Sequence, residues 1–167
     1  MKYAIDKTAH VPVRMRSMVF SADCGDVGRI DAEAFENPWC MNAHISYTTD
    51  PCARCWVALD NSGSLVGFVY AYLRVDSITI ERIAVDQKYA MCGIGRQMIT
   101  RILGMLRPRG YGRRHACFAA VEDTNLPAHL FFKSCGFTAS EVIKDYYKVN
   151  EDAYLFEFQH QQKDLPC

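Results

Sequence analysis

The stretch ERIAVDQKYAMCGIGRQMITRIL, residues 81–103, contains an apolar run, a loop with two glycines and an amphipathic segment. Its first part continues SITIERIAV at 77–85, which has the β-rich composition of a strand. After the glycines, apolar residues recur every three or four positions, as they do in helices, in the rows Ile94, Met98, Ile102 and Ile99, Leu103, Leu106. The stretch therefore predicts a strand, a glycine loop and a helix that ends before Pro108 and Gly110.

The preceding residues add strands and a turn. VPVRMRSMVF at 11–20 alternates apolar and polar residues, as a half-buried strand does. CWVALDNSGSLVGFVYAYLRV at 55–75 contains two β-rich runs joined by DNSGS. This turn chemistry predicts an antiparallel hairpin.

A helix is predicted between these strands, in SADCGDVGRIDAEAF at 21–35. Its spacing places Val27, Ile30 and Ala34 on one face, and Asp23 is suited to be the N-cap.

The C-terminal third of the chain predicts a strand, a short helix and a strand pair. HACFAAVE (115–122) reads as a strand, and NLPAHLFFKSCGF (125–137) as a helix with Asn125 or Thr124 as cap and Gly136 as its stop. ASEVIKDYYK and DAYLFEFQ then predict two strands.

Antiparallel strands followed by one strand–helix–strand crossover are typical of a mixed α+β fold, with a mostly antiparallel sheet flanked by helices. The chain has 167 residues and is half apolar, which favours a single domain over 1–167.

Charge and hydropathy exclude several classes of partner. Lys plus Arg and Asp plus Glu number 19 each, so the net charge gives no drive toward nucleic acid or an anionic membrane. No apolar run approaches the roughly 20 residues that span a bilayer, and the first 20 residues lack a signal-peptide pattern. We therefore expect a cytoplasmic protein without nucleic-acid or membrane partners.

The eight cysteines are interpreted as reduced thiols, because a chain of this size needs no disulfides to fold. The densest cluster is Cys40, His44, Cys52 and Cys55, residue types that suit zinc. Zinc sites usually use two tight ligand pairs, so we expect no metal here.

The glycine loop does not fit the common nucleotide-binding motifs. A dinucleotide fingerprint needs a third glycine where Met98 stands, and a P-loop needs lysine and serine or threonine where Arg96 and Gln97 stand. The loop does fit a backbone anion site. The first N–H groups of a helix lack partners, and Gly93 and Gly95 without Cβ atoms would let a diphosphate approach them. Arg96 in the first helical turn is unfavourable unless an anion lies beside it.

IAVDQKYAMCGIGRQMI (83–99) resembles motif A of the GNAT superfamily of acetyl-CoA-dependent N-acetyltransferases. FENPW (35–39), NLPAHLFFKSCGF and DYYKVNEDAYLFEF (145–158) are similar to the corresponding segments of the bacterial ribosomal protein alanine N-acetyltransferases. The resemblance implies a GNAT-like fold, acetyl-CoA as co-substrate and no metal. It implies a cofactor site formed by Ile83, Ala84, Val85, Met91, Cys92, Gly93, Ile94, Gly95, Arg96 and Asn125.

Three departures from the family pattern affect the expected chemistry. Ala90 stands where the loop usually has glutamine or arginine, and Met91 and Cys92 replace residues that are commonly basic. Ala120 stands at the position of the ribosomal enzymes' base glutamate, and Phe132 at that of their acid tyrosine.

The general base and acid must therefore be sought elsewhere, because the acceptor amine has to lose a proton and the leaving thiolate needs one. Glu81, on the predicted cofactor strand, is the first candidate base, and Glu122, at the end of the next strand, is the second. Tyr146 and Tyr147 are candidate proton donors, of which we favour Tyr147.

The sequence thus predicts transfer of an acetyl group from acetyl-CoA to a primary amine, with a protein N-terminus of the ribosomal protein alanine type favoured. A small amine such as a polyamine is the alternative acceptor, and a non-catalytic acyl-CoA sensor is the alternative class. The sequence leaves open whether the protein is a monomer or a homodimer.

Overall fold

The computed structural model describes residues 10–107 and 114–160. Within them the strands are β1 (Arg14–Ser17), β2 (Ala53–Leu59), β3 (Leu65–Leu73), β4 (Ser77–Val85), β5 (Ala116–Glu122), β6 (Thr138–Lys148) and β7 (Glu151–Gln159). The helices are α1 (Phe20–Ala34), α2 (Met41–Thr49), α3 (Ile94–Leu103) and α4 (Leu126–Ser134), with a 3₁₀ turn at Gln87–Tyr89.

The strands form a seven-stranded sheet in the order β1-β2-β3-β4-β5-β7-β6. β4 and β5 pair in parallel, from Ser77 opposite Ala116 to Ile80 opposite Ala119. The β1–β2, β2–β3, β5–β7 and β6–β7 pairs are antiparallel. The predicted mixed α+β fold with a mostly antiparallel sheet is confirmed, and α3 lies on the crossover between the two parallel strands.

Most predicted elements are present. β4 has the predicted bounds, and α3 begins directly after the glycine loop. The DNSGS hairpin joins β2 to β3, with Gly63 at φ +85° and Asp60 Oδ1 accepting the N–H groups of Ser62 and Ser64. Asn125 caps α4 by accepting the N–H of Ala128 at 3.1 Å, as predicted.

The beginning of the chain differs from the prediction in two ways. β1 is shorter than the 11–20 pattern, and α1 starts at Phe20 with Val19 as its N-cap. The prediction that Asp23 is the N-cap is wrong. Asp23 lies one turn inside the helix, where its Oδ2 accepts the Val19 N–H at 2.7 Å and Arg16 pairs with the carboxylate. Asp23 thus binds the N–H of the cap residue, which is the reciprocal half of a capping box, and Val19 supplies no side-chain cap.

Three further details of the predicted elements differ from the structure or cannot be compared with it. Val27 and Ile30 are fully buried on the inner face of α1, but Ala34 is exposed at its last turn. α2 was not predicted as a helix, because MNAHISYTT has little amphipathic periodicity. α3 ends at Leu103, and the predicted stop residues Pro108 and Gly110 lie outside the described residues.

The described residues divide into two compact units. The first comprises those within Met1–Tyr72 and Arg82–Ile99, and the second those within Leu73–Glu81 and Thr100–Cys167. In the first unit, Val27 and Ile30 of α1 pack on Val57, Phe68 and Tyr70 of β2 and β3. Burial of this apolar face explains why α1 forms despite two internal glycines.

The second unit has an aromatic core. Phe132 of α4 is 4% exposed, stacks on Phe156 of β7 at 5.9 Å and meets Phe137 edge-on at 5.2 Å. This packing holds α4 against the sheet. By contrast, β6 at the sheet edge is exposed at every position except half-buried Ile143.

Candidate functional site

The loop between β4 and α3 is anchored at its start by Asp86. The buried carboxylate accepts the Lys88 N–H at 2.9 Å through Oδ1 and an Arg29 N–H at 2.9 Å through Oδ2. The Asp86 N–H also donates to the carbonyl of Val66 in β3. Because the carboxylate and the N–H of Asp86 are bonded to the protein and not to water, they fix the point at which the loop leaves the sheet.

Tyr89 anchors the loop to the β2–β3 hairpin. Its hydroxyl donates to Asp60 Oδ2 at 2.8 Å, and this bond is the main reason why the pKa of Tyr89 is raised. Although partial burial opposes its ionisation, hydrogen bonds from Ser62, Tyr89 and the N–H of Ser64 hold the pKa of Asp60 below its ordinary value. The ionised form of Asp60 therefore stabilises the loop.

The glycine loop itself uses left-handed backbone at two positions. Gly93 has φ +79° and Met91 has φ +66°. Gly93 adopts this conformation without strain, whereas Met91 bears a side chain that is 89% exposed. Cys92, between them, is buried, and its N–H and carbonyl are bonded to Tyr89 and Val11, so it fixes the turn from within the protein.

The N-terminus of α3 begins directly after this turn. The N–H of Gln97 donates to the carbonyl of Gly93 at 3.2 Å. By helix geometry the N–H groups of Ile94 and Gly95, the first two residues of α3, precede that bond and point along the helix axis, with the positive end of the helix dipole behind them. This arrangement fits a diphosphate, as the sequence analysis expects.

Gly67 allows β4 to approach β3 and α3 closely. A Cβ on Gly67 would lie 2.9 Å from the carbonyl oxygen of Ala84 and 3.3 Å from Cε of Met98. Ala84 is 7% exposed, while its neighbours Ile83 and Val85 are half-buried on the opposite side of the strand. The structure thus brings the cofactor-binding candidates 83–85 and 91–96 together in the first unit.

The sequence did not reveal an ionic and aromatic cluster that lies on the side of β4 opposite Ile83 and Val85. Arg82 binds the fully buried Asp31 with Nε and, at 3.2 Å, with Nη2. Its guanidinium lies 3.7 Å from the ring centre of Phe35 and 4.9 Å from that of Trp39. The backbone N–H of Trp39 donates to Asp31 Oδ2 at 2.7 Å. These contacts join β4 to α1 and to the segment 35–39, which is the FENPW stretch.

His44 completes that cluster. Its Nδ1 is 2.9 Å from the hydroxyl of Tyr70, and its Nε2 is 3.9 Å from Asp31 Oδ2, too far for a hydrogen bond. Burial, partly opposed by Asp31, lowers the pKa of His44, so the imidazole is neutral at pH 7. His44 is thus part of a packed aromatic cluster with Trp39 and Tyr70.

The candidate catalytic residues all belong to the second unit. Glu81 is half-buried next to Ile80, the last residue of β4 in the parallel pairing. Burial and, to a smaller extent, the charge of Glu81 raise the pKa of Tyr146. The charge of Glu81 therefore opposes ionisation of the Tyr146 hydroxyl. Glu122 accepts a bond from Thr124 Oγ1 at 3.2 Å, and the hydroxyl of Tyr147 donates to the carbonyl of Ala120 at 3.1 Å.

This geometry distinguishes the candidates. The proton of Tyr147 is engaged by a backbone carbonyl, whereas Tyr146 lies in the field of Glu81. Asn125 also lies in the second unit, where its side-chain oxygen caps α4. Phe132 is part of the aromatic core described above, so this chain has an apolar core residue where the resemblance places an acid.

The seven cysteines among the described residues are free thiols. Burial raises the pKa of Cys55 and that of Cys117 to about 12, so neither is a thiolate at pH 7. Within 10–107 and 114–160 no group of three or more His, Cys, Asp and Glu side chains could hold a metal ion. Among the same residues, no helix combines the length and apolarity needed to cross a bilayer.

The model of the Acetyltransferase (GNAT) family matches residues 25–137, which contain β4, the glycine loop and α3. The chain belongs to the GNAT acetyltransferase family. It is 27% identical over 100 residues to the [ribosomal protein bS18]-alanine N-acetyltransferase of Escherichia coli K12. That match covers 58% of this chain and 66% of the relative, slightly less than two thirds of its length.

Solved GNAT structures share the fold. The crystal structure of the ribosomal-protein-S18-alanine N-acetyltransferase from Escherichia coli has a TM-score of 0.75 at 20% identity, covering 93% of this chain and all of that one. Arabidopsis thaliana NAA60 in complex with acetyl-CoA has a TM-score of 0.73 at 19% identity, covering 89% of this chain and 98% of that one. At such identities these likenesses establish the GNAT fold.

Proposed function

We propose that this chain is an acetyl-CoA-dependent N-acetyltransferase, acting as one domain over residues 1–167. The observation that carries the proposal is the family match across the strand, loop and helix in which Gly93 has φ +79° ahead of the N-terminus of α3. A loop with this backbone can present several N–H groups to a diphosphate without a basic side chain at 90–92. The loop can therefore bind a diphosphate although Ala90, Met91 and Cys92 stand where the family usually has polar or basic side chains.

Acetyl-CoA supplies an activated acetyl group as a thioester. We assign the diphosphate to the N–H groups of residues 93–95 and to Arg96, and the pantetheine arm to the strand at 83–85. The resemblance also assigns Asn125 to this arm; in the second unit its side-chain oxygen caps α4.

For proton transfer we assign Glu81 as the general base. A carboxylate can take the proton of an ammonium acceptor directly or through one water molecule. We propose Tyr146 rather than Tyr147 as the proton donor, because the hydroxyl of Tyr147 is bonded to the carbonyl of Ala120 whereas Tyr146 lies in the field of Glu81. Glu122 stays the second candidate base, and Tyr147 the second acid.

The acceptor that we propose is the α-amine of a protein N-terminus, of the ribosomal protein alanine type. The sequence similarity to the bS18-alanine acetyltransferase supports this acceptor. A small amine is the alternative, favoured by Ala120 and Phe132, because the proton relay of the ribosomal enzymes is absent at those positions. A sensor that binds acyl-CoA without turnover is favoured by the same two residues.

One set of assays separates these functions. Purified protein is incubated with acetyl-CoA and either peptides with N-terminal alanine or polyamines, and release of CoA thiol is followed. Turnover with peptides supports the proposed acceptor, and turnover with polyamines alone supports the alternative. Thermal stabilisation by CoA without any turnover would identify a sensor. Gly93→Val should lose CoA binding, because a β-branched residue at positive φ distorts the turn.

A further inference from the structure

The segment 10–13 lies directly against the glycine loop. The N–H of Val11 donates to the carbonyl of Cys92 at 3.0 Å. The ring of His10 borders Gly93, with Cδ2 at 3.0 Å and Nε2 at 3.4 Å from the position that a Cβ on Gly93 would take. The absence of a side chain at Gly93 therefore makes room for this segment as well as for the turn.

Gln97 fastens the segment to the loop. Its Oε1 accepts the N–H of Val13 at 3.1 Å, and its Nε2 donates to the carbonyl of Val11 at 2.7 Å and to that of Gly93 at 3.4 Å. A single half-buried amide thus bonds two residues of the segment and one of the loop. Neither an apolar nor a charged side chain of that length could make all three bonds, since they need a donor and an acceptor together.

The bond from Val11 also sets the direction of a peptide group. In a trans peptide the C=O and the N–H point to opposite sides. With the Cys92 carbonyl held by the segment, the N–H of Gly93 points away from the segment. The segment 10–13 therefore sets the direction of the Gly93 N–H.

We propose that Gln97 is a positioning residue of the diphosphate subsite, which fixes the Gly93 N–H by holding residues 11–13 against the loop. This inference rests on the proposed function. It explains how a loop without basic side chains at 90–92 keeps a preorganised set of backbone donors. Preorganisation reduces the cost of ordering on binding, so its loss lowers affinity without removing any contact to the ligand.

The test compares two ligands that differ in the diphosphate. CoA carries it, and pantetheine carries the thiol arm without it. Gln97→Met keeps the side-chain length and removes its hydrogen bonds, and we expect it to raise the Kd for CoA about tenfold, about 1.4 kcal/mol, by calorimetry. The Kd for pantetheine should stay unchanged, a split that general unfolding would not produce.

Two further variants complete the experiment. Val11→Pro removes the N–H that donates to Cys92 while leaving Gln97 in place, so it should show the same selective loss even if Gln97→Met folds poorly. Gln159→Met is the matched control, an exposed glutamine of the second unit whose amide donates to Glu157 at 2.7 Å.

The outcomes are distinct. If the wild-type protein fails to bind CoA, the proposed function itself is wrong. If the wild-type protein binds CoA and both variants bind it equally well, or if they lose pantetheine and CoA to the same extent, Gln97 does not position the diphosphate subsite.

Discussion

Gly67→Ala should destabilise the first unit and weaken cofactor binding together. The added Cβ would lie 2.9 Å from the carbonyl oxygen of Ala84, a distance that real Cβ atoms essentially never show. It would also lie 3.3 Å from Cε of Met98, but a methionine end can move whereas a strand carbonyl cannot. The strain is therefore placed on β4, at one of the residues assigned to the pantetheine arm.

The magnitude follows from two opposing terms. Overpacking a well-packed core costs about 1–3 kcal/mol, and contact with backbone places this site toward the upper end. Replacing glycine by alanine returns about 0.4–1 kcal/mol by restricting the unfolded chain. The net loss is about 1.5–2.5 kcal/mol, which lowers Tm by about 3–10 °C in a chain of this size.

Thermal and urea denaturation with the matched variant Gly28→Ala test this reasoning. Gly28 lies in α1, and a Cβ there would meet no atom within 4 Å, so alanine should stabilise the protein by about 0.5–1 kcal/mol. CoA calorimetry on both variants should show weaker binding for Gly67→Ala only. If Gly67→Ala melts as high as Gly28→Ala and binds CoA normally, β3 and β4 do not approach as closely as described.

Two further predictions concern charge. Glu81→Gln should lower turnover about 10²-fold with the Kd for CoA unchanged, as expected for loss of a general base; if Glu122→Gln causes that loss instead, the base is Glu122. The Arg16 hydrogen bonds lower the pKa of Asp23, so this pair contributes stability above the ordinary carboxyl value of 3.8 and loses it as the pH falls through the folded-state pKa. Arg16→Met should therefore cost about 1–2 kcal/mol at pH 7, since Arg16 is partly exposed, and that difference should shrink below pH 3.8 in denaturation curves; a constant difference would contradict the pairing.

Local patterns were sufficient for most of the fold. The β-rich composition of SITIERIAV and the helical rows that begin at Ile94 each predict one element, and the DNSGS turn needs only its own residues. The failures are of a different kind. Asp23 was misassigned because its partner Arg16 lies on another element, and α2 was missed because its buried residue is the polar His44.

The candidate site was predictable where it consists of backbone and hidden where it depends on distant side chains. Gly93 could be identified from its spacing, and its positive φ agrees with the role proposed for it. Asp86 meets Arg29 at 57 residues' separation, and Arg82 meets Asp31 at 51, so no local pattern reveals either pair. The sequence shows such an aspartate or arginine only as a charged residue in an apolar stretch, and it does not show which partner neutralises the charge.

These distant contacts also change how the departures from the family loop should be understood. Basic side chains at 90–92 would both attract a diphosphate and, through their bonds to it, help to order the loop. In this chain the order comes from elsewhere, because Asp86 and Tyr89 hold the first half of the loop and Gln97 the second. With the backbone already fixed, the loss of those cations removes attraction but leaves the geometry of the N–H donors intact. Binding should then depend less on salt than it does with a basic loop, since fewer mobile charges face the anion.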